Sequence, residues 1–323
     1  MKVSIVIPCY NSEKSIRSVV ETTYQVFQDQ IPGYECEFIL VDDCSRDNTY
    51  AEIQRLADDY PYVHGATLMR NFGQHNAIMC GLNLAQSDLI MGMDDDMQTH
   101  PSQIPLIINK MNEGYDVVYG VYRESTNGKV KNFTSWLNRW SAQKMLGRPK
   151  EIRTSNFWMI NKGIRDEVIK YTNYNPYIDA LFSRMTNRIG NVEVEHHARM
   201  YGSSNYTIAK LMKLWLSYFN YTVLPLRFVS AMGIGMAAVG FLATIVTVLY
   251  RLIVPGVLSG WASLICVMLF FFGLILFALG IIGEYLGDIV LSTNGTPQFV
   301  VRDTTDGGRP SPGQAARAEG RRY

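Results

Sequence analysis

The chain has 323 residues, which is enough for a sizeable hydrophobic core with an appended element and too long for one small domain. Its 30 basic and 29 acidic residues leave a net charge of +1, and it carries no basic stripe or recognition motif, so we expect no nucleic-acid partner. The five cysteines form no CxxC pair and no disulfide framework, which indicates a reducing compartment.

The first part of the chain alternates strand and helix patterns. Short β-rich apolar runs predict strands, and apolar residues at helical spacing follow them. This rhythm predicts an α/β domain with a mainly parallel sheet covered by helices. The predicted strands are 3–7, 38–41, 63–68 and 89–93, and the predicted helices are 16–27, 49–59 and 74–85.

Three of the predicted strands end in polar groups. The segments are PCYN at 8–11, DDCS at 42–45 and DDDMQ at 94–98. Ligands bind beyond the carboxyl ends of the strands in sheets of this kind. The shared position of the three segments therefore predicts a functional site at that edge of the sheet.

The DDDMQ segment indicates a metal site. On an extended segment Asp94 and Asp96 would face the same way, Gln98 would continue that spacing, and Asp95 would point elsewhere. Neighbouring carboxylates repel one another unless a cation lies between them, and an all-oxygen set with few protein ligands suits Mg²⁺ or Mn²⁺ completed by phosphate oxygens. We therefore expect replacement of Asp95 by Ala or Asn to be the mildest of the three. The alternative is a solvated run of charge.

Two later segments predict transmembrane helices. Residues 228–250 and 261–283 contain no charge, and about twenty apolar residues span a bilayer as a helix. Two buried core helices are the alternative, but neither segment shows a polar face. Lys210, Lys213 and Arg227 precede the first segment, so the positive-inside rule predicts a multi-pass inner-membrane protein whose large N-terminal part is cytoplasmic. An even number of spans returns the C-terminus to the same side.

An amphipathic pattern over 208–219 predicts an interfacial helix before the first span, with an ordinary surface helix as the alternative. No apolar periodicity follows Val301, so we expect the tail to be disordered. The predicted organisation is a domain at 1–206, an interfacial region at 207–227, a transmembrane hairpin at 228–283, a cytoplasmic segment at 284–302 and a disordered tail at 303–323.

Neither G-x-G-x-x-G after a strand nor a P-loop motif occurs, which excludes the common dinucleotide and ATPase sites. The segments IVIPCYN, ILVDDCSRDNT and MDDDMQ resemble the strand-end motifs of family 2 glycosyltransferases with the GT-A fold. RNFGQHNAIMCG, VEHHARMYGSSNY, PLR and GIIGEYLGDI extend the likeness to the polyprenyl-phosphate glycosyltransferases, over residues 3–301. Within these, the chain is most similar to the undecaprenyl-phosphate aminoarabinose transferase and GtrB-type branch, and dolichol-phosphate mannose synthase is a more distant relative.

The resemblance implies roles for particular residues. Several of them also fit purely structural roles: Tyr10 in the core, Asp42-Asp43 as a turn cap before the 49–59 helix, and Arg139 as an interfacial anchor. His196-His197 looks like a metal pair, but adjacent strand residues face opposite ways, so we interpret it as structural. The implied sets are a nucleotide pocket of Pro8, Tyr10, Asn11, Asp42, Asp43 and Gly73; a metal site of Asp94, Asp96 and Gln98; Arg123 facing phosphate; and Arg139, Thr154, Ser155 and Arg199 for the acceptor phosphate.

By the same resemblance, the reaction is inverting transfer of a sugar to undecaprenyl phosphate or another polyprenyl phosphate. The implied donor is a nucleotide diphosphate sugar, with UDP favoured over GDP. The resemblance gives catalytic roles to Asp94, Asp96 and Arg123. The implied partners are the donor, the lipid acceptor, the bilayer and further copies of the chain in a tetramer. Ser12 and Asn205 depart from the family's motifs, which usually have Glu and Lys there. The alternatives are a processive polysaccharide synthase, although Trp136 replaces the glutamine of its Q-x-x-R-W motif, and an inactive membrane scaffold.

Overall fold

The computed structural model describes residues 1–122, 152–195 and 260–306, together with single positions between 226 and 249. The chain divides into two compact units. One unit comprises Met1–Tyr206 and Gly295–Tyr323, and the other comprises Thr207–Asn294. The first unit is an α/β domain, and the described part of the second contains a long apolar helix.

The described part of the first unit is built on one eight-stranded sheet with the order β7-β5-β6-β4-β1-β2-β3-β8. The strands are β1 (Lys2–Cys9), β2 (Glu35–Asp42), β3 (Val63–Leu68), β4 (Leu89–Gly92), β5 (Val117–Tyr122), β6 (Trp158–Asn161), β7 (Ile189–Val194) and β8 (Val301–Thr304). The pairs β1–β2, β1–β4, β2–β3 and β5–β7 are parallel, whereas β4–β6, β5–β6 and β3–β8 are antiparallel. The mainly parallel sheet predicted from the sequence is confirmed.

Helices connect and flank these strands. They are α1 (Ile16–Gln30), α2 (Thr49–Asp59), α3 (Gln74–Leu84), α4 (Ile104–Asn112), α5 (Lys162–Val168) and α6 (Ile178–Met185), with a 3₁₀ turn at Pro101–Gln103. The chain passes through α1 and α2 as it moves outward from β1 to β3, and then returns through α3 to β4 on the other side of β1. The order of strands therefore reverses between β1 and β4, and open α/β sheets bind ligands at such a switch point.

The strand β1 is buried on both faces and anchors the core. Ile5 and Ile7 are fully buried in the same hydrophobic cluster as Ile16 of α1. On the opposite face Val6 packs against α3 at Gly81, where a Cβ would collide with the valine side chain. Glycine at 81 thus allows α3 to lie close to β1, and this close packing fixes where α3 begins relative to the strand ends.

In the second unit, the helix α7 (Trp261–Thr293) includes the only stretch among the described residues that is long and apolar enough to cross a membrane, Phe271–Thr293. The sequence placed this span at about 261–283, and the helix itself continues for ten further residues, to Thr293. It ends where Asn294 is followed by Gly295 with φ +67°, a conformation that terminates helices and favours glycine.

The predicted interfacial helix at 208–219 lies outside the described residues, as does most of the predicted span at 228–250. The single described positions between 226 and 249 are helical. One membrane-compatible helix is therefore established within the described part of the chain, and the two-span hairpin stays a prediction.

The chain after α7 returns to the sheet. β8 pairs antiparallel with β3, with Ala66 opposite Thr304, and Met69 N donates to Val300 O at 2.8 Å. The prediction that disorder begins at 303 is wrong, because Asp303 and Thr304 belong to this strand. The strand is held by main-chain hydrogen bonds on the edge of β3, and so it requires little of the apolar periodicity by which strands are recognised in a sequence. Residues 307–323 lie outside the described part.

Candidate active site

The loops that follow β1 and β4 contact each other at the switch point. The Ser12 hydroxyl donates to Asp95 Oδ2, and the Tyr10 backbone N–H lies 3.4 Å from the same oxygen. The Tyr10 N–H also donates to Ser12 Oγ at 3.0 Å. Parallel neighbours present their carboxyl ends at one edge, so these two loops meet because β1 and β4 are adjacent in the sheet.

The loop after β1 leaves two of the predicted nucleotide-binding side chains exposed. Tyr10 is 45% exposed, so the alternative that it is a core residue is wrong. Asn11 has φ +57° and connects to the loop after β2, since its N–H donates to Ser45 Oγ at 2.9 Å and its Oδ1 accepts from Arg46 N at 2.9 Å. The predicted residue Pro8 lies within β1, one residue before its end.

The two aspartates at the end of β2, Asp42 and Asp43, are buried and accept hydrogen bonds. Asp42 accepts from Ser45 N at 3.0 Å and from the Thr67 hydroxyl at 2.6 Å. Asp43 accepts from the N–H groups of Phe72 and Gly73 at 2.7 and 2.8 Å. Neither carboxylate is the N-cap of α2, which is Asn48, but the bond from Ser45 N to Asp42 closes the turn before that helix, so the turn-cap alternative holds for Asp42. Burial raises the pKa of Asp43, although the two backbone N–H bonds oppose that rise.

Gly73 lies between Asp43 and the first turn of α3. It has φ +93°, a conformation that L side chains rarely adopt, and it is the N-cap residue of the helix. A Cβ built there would meet no atom within 4 Å, so the space above this backbone is open. An open glycine with positive φ at a helix N-terminus suits close approach of an anionic ligand to the main chain.

The DDDMQ segment is a turn and not an extended strand. β4 ends at Gly92, Asp95 and Asp96 lie in a turn, and Met97 has φ +58°. Asp96 Oδ1 accepts from Gln98 N at 3.1 Å, which closes this turn locally. The prediction that Asp94, Asp96 and Gln98 share a face assumed an extended segment. That assumption is wrong, because the segment turns. All three side chains are nonetheless half-buried beyond the carboxyl end of β4, and their metal role stays a prediction.

Asp95 differs from its two neighbours, as the sequence predicted, but for another reason. Its carboxylate is turned back to the loop after β1, where it accepts from Ser12 and Tyr10. Burial raises the pKa of Asp95, and the charge of Asp96 adds to that rise. Asp95 therefore joins the two loops, and its removal by substitution with Ala should cost stability.

The donor set fits a hard divalent cation. The described residues contain no group of three His, Cys, Asp or Glu side chains placed to hold a metal. Two carboxylates, Asp94 and Asp96, with the amide oxygen of Gln98, match the few oxygen ligands that Mg²⁺ or Mn²⁺ takes from protein when phosphate oxygens complete the shell. The chemistry of these side chains thus agrees with the predicted metal.

The predicted acceptor-side residues are only partly described. Thr154 and Ser155 lie half-buried in the loop before β6. The Ser155 hydroxyl donates to Gly120 O at 2.6 Å and accepts from Phe157 N at 3.2 Å, so binding an acceptor would require these bonds to rearrange. Arg123, Arg139, Arg199 and the His196-His197 pair lie outside the described residues.

Three residues at this edge were not predicted from the sequence. Gln74 and Asn156 donate to the two oxygens of Asp94, at 2.8 and 2.9 Å. His75 rests edge-on against Tyr177, and burial lowers its pKa to about 4, so the ring is neutral near pH 7. Gln74 and His75 lie within the GQHN segment of the motif at 70–81, whereas nothing in a single sequence links Asn156 to Asp94.

Comparisons with known proteins identify the family of this chain. Residues 4–173 match the model of the family described as glycosyl transferase family 2. The chain is 31% identical over 317 residues to the undecaprenyl-phosphate 4-deoxy-4-formamido-L-arabinose transferase of Proteus mirabilis (strain HI4320), with 97% of each chain covered. It is also 31% identical over 309 residues to the transferase of the same name from Shewanella sediminis (strain HAW-EB3), covering 93% of this chain and 92% of that one.

The fold has solved relatives as well. Glucosyl-3-phosphoglycerate synthase from Mycobacterium tuberculosis, in complex with Mn²⁺ and UDP-glucose, matches with a TM-score of 0.51 and 18% identity, covering 68% of this chain and 79% of that chain. At this identity the likeness shows a shared fold, and it supports a GT-A-like α/β domain. From the family match over residues 4–173 and the similarity to curated relatives along nearly its whole length, the chain belongs to glycosyltransferase family 2.

Proposed function

We propose that this chain is an inverting glycosyltransferase that moves a sugar from a UDP-sugar to undecaprenyl phosphate at the cytoplasmic face of the membrane. The proposal rests on the position of Asp94 and Asp96 at the switch point of the sheet. The chain is also 31% identical, over 97% of its length, to a transferase named for undecaprenyl phosphate. The domain at 1–206, the interfacial region at 207–227 and the tetramer implied by the family are part of this proposal.

The donor nucleotide would lie across the loops after β1, β2 and β3. Tyr10 is exposed for stacking, and Asn11 lies beside it. Asp43 fixes the loop that carries Gly73, and the open space above that glycine can receive the nucleotide. Asp42 and Asp43 are buried, so in this proposal they shape the pocket through the backbone that they hold.

Asp94, Asp96 and Gln98 would hold Mg²⁺ or Mn²⁺ on the donor diphosphate. When bound, such an ion neutralises charge that develops on the leaving diphosphate and orients it. The two carboxylates bring the negative charge that this cation needs. Gly73 caps the N-terminus of α3 at the same edge of the sheet. The N-terminal end of a helix favours the negative charge of the diphosphate.

The acceptor is a phosphate monoester, and its second pKa of about 6 leaves it largely dianionic near neutral pH. A phosphate oxygen attacks the anomeric carbon and forms the new C–O bond, while the bond from that carbon to the diphosphate oxygen breaks and UDP leaves. A single displacement inverts the anomeric centre. The acceptor needs positioning by cations more than it needs a base, and Arg123, Arg139 and Arg199 are the residues that we propose for this, with Thr154 and Ser155.

The apolar helix α7 accounts for access to a lipid acceptor. Its side chains are largely exposed over Phe271–Thr293, with Phe272 at 53% and Leu276 at 68%. An exposed apolar surface of this length is unfavourable in water and favourable in a bilayer. We propose that this helix and the segment at 228–250 form the membrane hairpin that keeps the enzyme where its acceptor is found.

A panel of donors tests the proposal. Purified full-length protein in detergent is incubated with undecaprenyl phosphate, Mn²⁺ and each of several UDP- and GDP-sugars, and lipid-linked products are read by mass spectrometry. We expect a glycosylated lipid from at least one UDP-sugar and none without the divalent cation. Absence of any lipid-linked sugar from every donor would overturn the proposed function.

A matched pair of variants tests the site. Asp96→Ala removes a carboxylate at the carboxyl end of β4, whereas Asp88→Ala removes an exposed carboxylate just before the amino end of the same strand. We expect consumption of the donor to be lost in the first and retained in the second, with thermal unfolding similar in both. Unchanged turnover in Asp96→Ala would show that the metal assignment is wrong.

A further inference from the structure

We propose that Gln74 and Asn156 are positioning residues that hold the carboxylate of Asp94 in its ligating orientation. Gln74 Nε2 donates to Asp94 Oδ1 at 2.8 Å, and Asn156 Nδ2 donates to Asp94 Oδ2 at 2.9 Å. Each carboxylate oxygen is thus bonded to a different amide. The inference deepens the proposed function and rests on it, because the orientation matters only if Asp94 binds the metal of the donor complex.

The topology explains why Asn156 faces Asp94. β4 and β6 are antiparallel, with Leu89 opposite Asn161 and Gly92 opposite Trp158. If that register is continued two residues beyond the end of β4, Asp94 falls opposite Asn156. The pairing of β4 with β6 thus brings Asp94 and Asn156 close together just beyond the strands, and the bond fixes one oxygen of Asp94 relative to the loop that leads into β6.

The second amide comes from the nucleotide side of the site. Gln74 is the first residue of α3, directly after Gly73. Gly73 itself is held by Asp43 through its N–H, at 2.8 Å. The pair Gln74 and Asn156 thus joins Asp94 both to the loop proposed for the nucleotide and to the loop that leads into β6.

The chemistry of an amide suits this position. A carboxylate offers about four lone-pair sites, so accepting two amide hydrogens is compatible with binding a cation as well. A lysine or arginine in place of Gln74 or Asn156 would also orient Asp94, but its charge would repel the cation. A neutral donor fixes direction without lowering the negative charge that attracts the metal.

Exposure points to a functional role and not to a stabilising one. Gln74 and Asn156 are both exposed, so neither fills the core, and removing either leaves the backbone ladder intact. The chain also contains a matched pair elsewhere, because Gln25 Nε2 donates to Asp29 at 2.8 Å on the exposed face of α1. Gln25→Ala therefore removes an amide-to-carboxylate hydrogen bond of the same kind at a place remote from the site.

The test measures metal affinity directly. Full-length Gln74→Ala, Asn156→Ala, the double variant and Gln25→Ala are titrated with Mn²⁺ in the presence of UDP, and bound Mn²⁺ is read by electron paramagnetic resonance. Loss of one hydrogen bond to a charged group changes an equilibrium constant by roughly tenfold. We expect each single variant to weaken Mn²⁺ binding by about that factor, the double variant to weaken it further, and Gln25→Ala to match the wild type.

Turnover and melting temperature distinguish a role in positioning Asp94 from a role in folding. We expect unchanged melting temperatures in all variants, and turnover that recovers to near the wild-type value at saturating Mn²⁺. Unchanged Mn²⁺ affinity in the double variant, with normal binding by the wild type, would overturn this inference alone. Failure of the wild type to bind Mn²⁺ with UDP would instead overturn the proposed metal site, and this inference with it.

Discussion

The two acidic loops of the site look alike in sequence and differ in structure. At the end of β2, Asp42 and Asp43 are 3% and 4% exposed and accept hydrogen bonds from the backbone and from a buried hydroxyl. After β4, Asp94 is half-buried and accepts from the exposed side chains of Gln74 and Asn156. Adjacent aspartates thus build the scaffold of the site in one loop, whereas in the other loop we propose that they present charge to a ligand.

The difference teaches that burial and partner type are better guides to role than the motif itself. A buried carboxylate whose partners are main-chain N–H groups cannot be removed without leaving those groups unsatisfied. A half-buried carboxylate whose partners are exposed amides can be removed with little structural loss. We therefore expect the two loops to respond in opposite ways to the same substitution.

The largest expected effect is on catalysis at the β4 loop. Replacing Asp94 by Ala removes a carboxylate that we propose binds the metal, and metal ions contribute several kcal/mol to stabilising charge in the transition state. We expect transfer to fall by about 1,000-fold while the melting temperature changes by less than about 2 °C. Assay of lipid-linked product and differential scanning fluorimetry measure the two quantities. A large drop in melting temperature would contradict the proposed separation of the loops.

The reverse outcome is expected at the β2 loop. Replacing Asp43 by Ala leaves the N–H groups of Phe72 and Gly73 without their acceptor, at a cost of about 2–4 kcal/mol. The melting temperature should fall by roughly 5–10 °C, and nucleotide affinity should fall with it as the Gly73 loop loosens. Asp58→Ala, at an exposed position of α2, is the control and should behave as the wild type. If Asp43→Ala melted normally, the scaffold role would be wrong.

A neutral imidazole adds a pH dependence to the scaffold. Burial lowers the pKa of His75 from 6.5 to about 4, so the unfolded chain binds more protons between these values and stability falls as pH falls through that window. The loss between pH 7.5 and pH 5 should be about 2 kcal/mol. His75→Phe keeps a ring against Tyr177 and should show a shallower decline in melting temperature with acid. Equal slopes in the two proteins would count against this account.

The smallest effect is expected at Asp95, which shares features of both loops. Asp95→Ala removes the acceptor for Ser12 and Tyr10 and should cost about 1–2 kcal/mol. Asp95→Asn keeps one carbonyl acceptor and should be nearly neutral. Thermal unfolding of the two variants measures the difference. Equal stability of Asp95→Ala and the wild type would restore the view that this aspartate is dispensable.

Much of the α/β domain was predictable because its signals are local. The helix at 49–59 and the strand at 63–68 match the structure to the residue, and 74–85 differs by one. Buried strands and amphipathic helices produce periodic patterns within about ten to fifteen residues, and such patterns are visible in one sequence. The polar strand ends were predicted to lie at one edge of the sheet, and the loops after β1, β2 and β4 contact one another there.

The remaining features depend on contacts that are distant in sequence. The partnership of Asn156 with Asp94 requires the antiparallel register of β4 and β6, and no local pattern records it. The turn at Asp95 and Asp96 was missed because the positive φ occurs at Met97, a residue type that seldom adopts it. β8 was missed because an edge strand held by main-chain bonds leaves little trace in side-chain pattern.

The position of β8 in the chain has a consequence for biosynthesis. β3 is translated well before α7, but its outer edge is paired only when residues 301–304 have left the ribosome. Until then the nascent domain exposes an unpaired strand edge, which is a template for aggregation. Completion of the sheet therefore waits for synthesis of the apolar helix. A chain truncated after α7 would carry a permanently open edge and would be recognisable to quality control as unfinished.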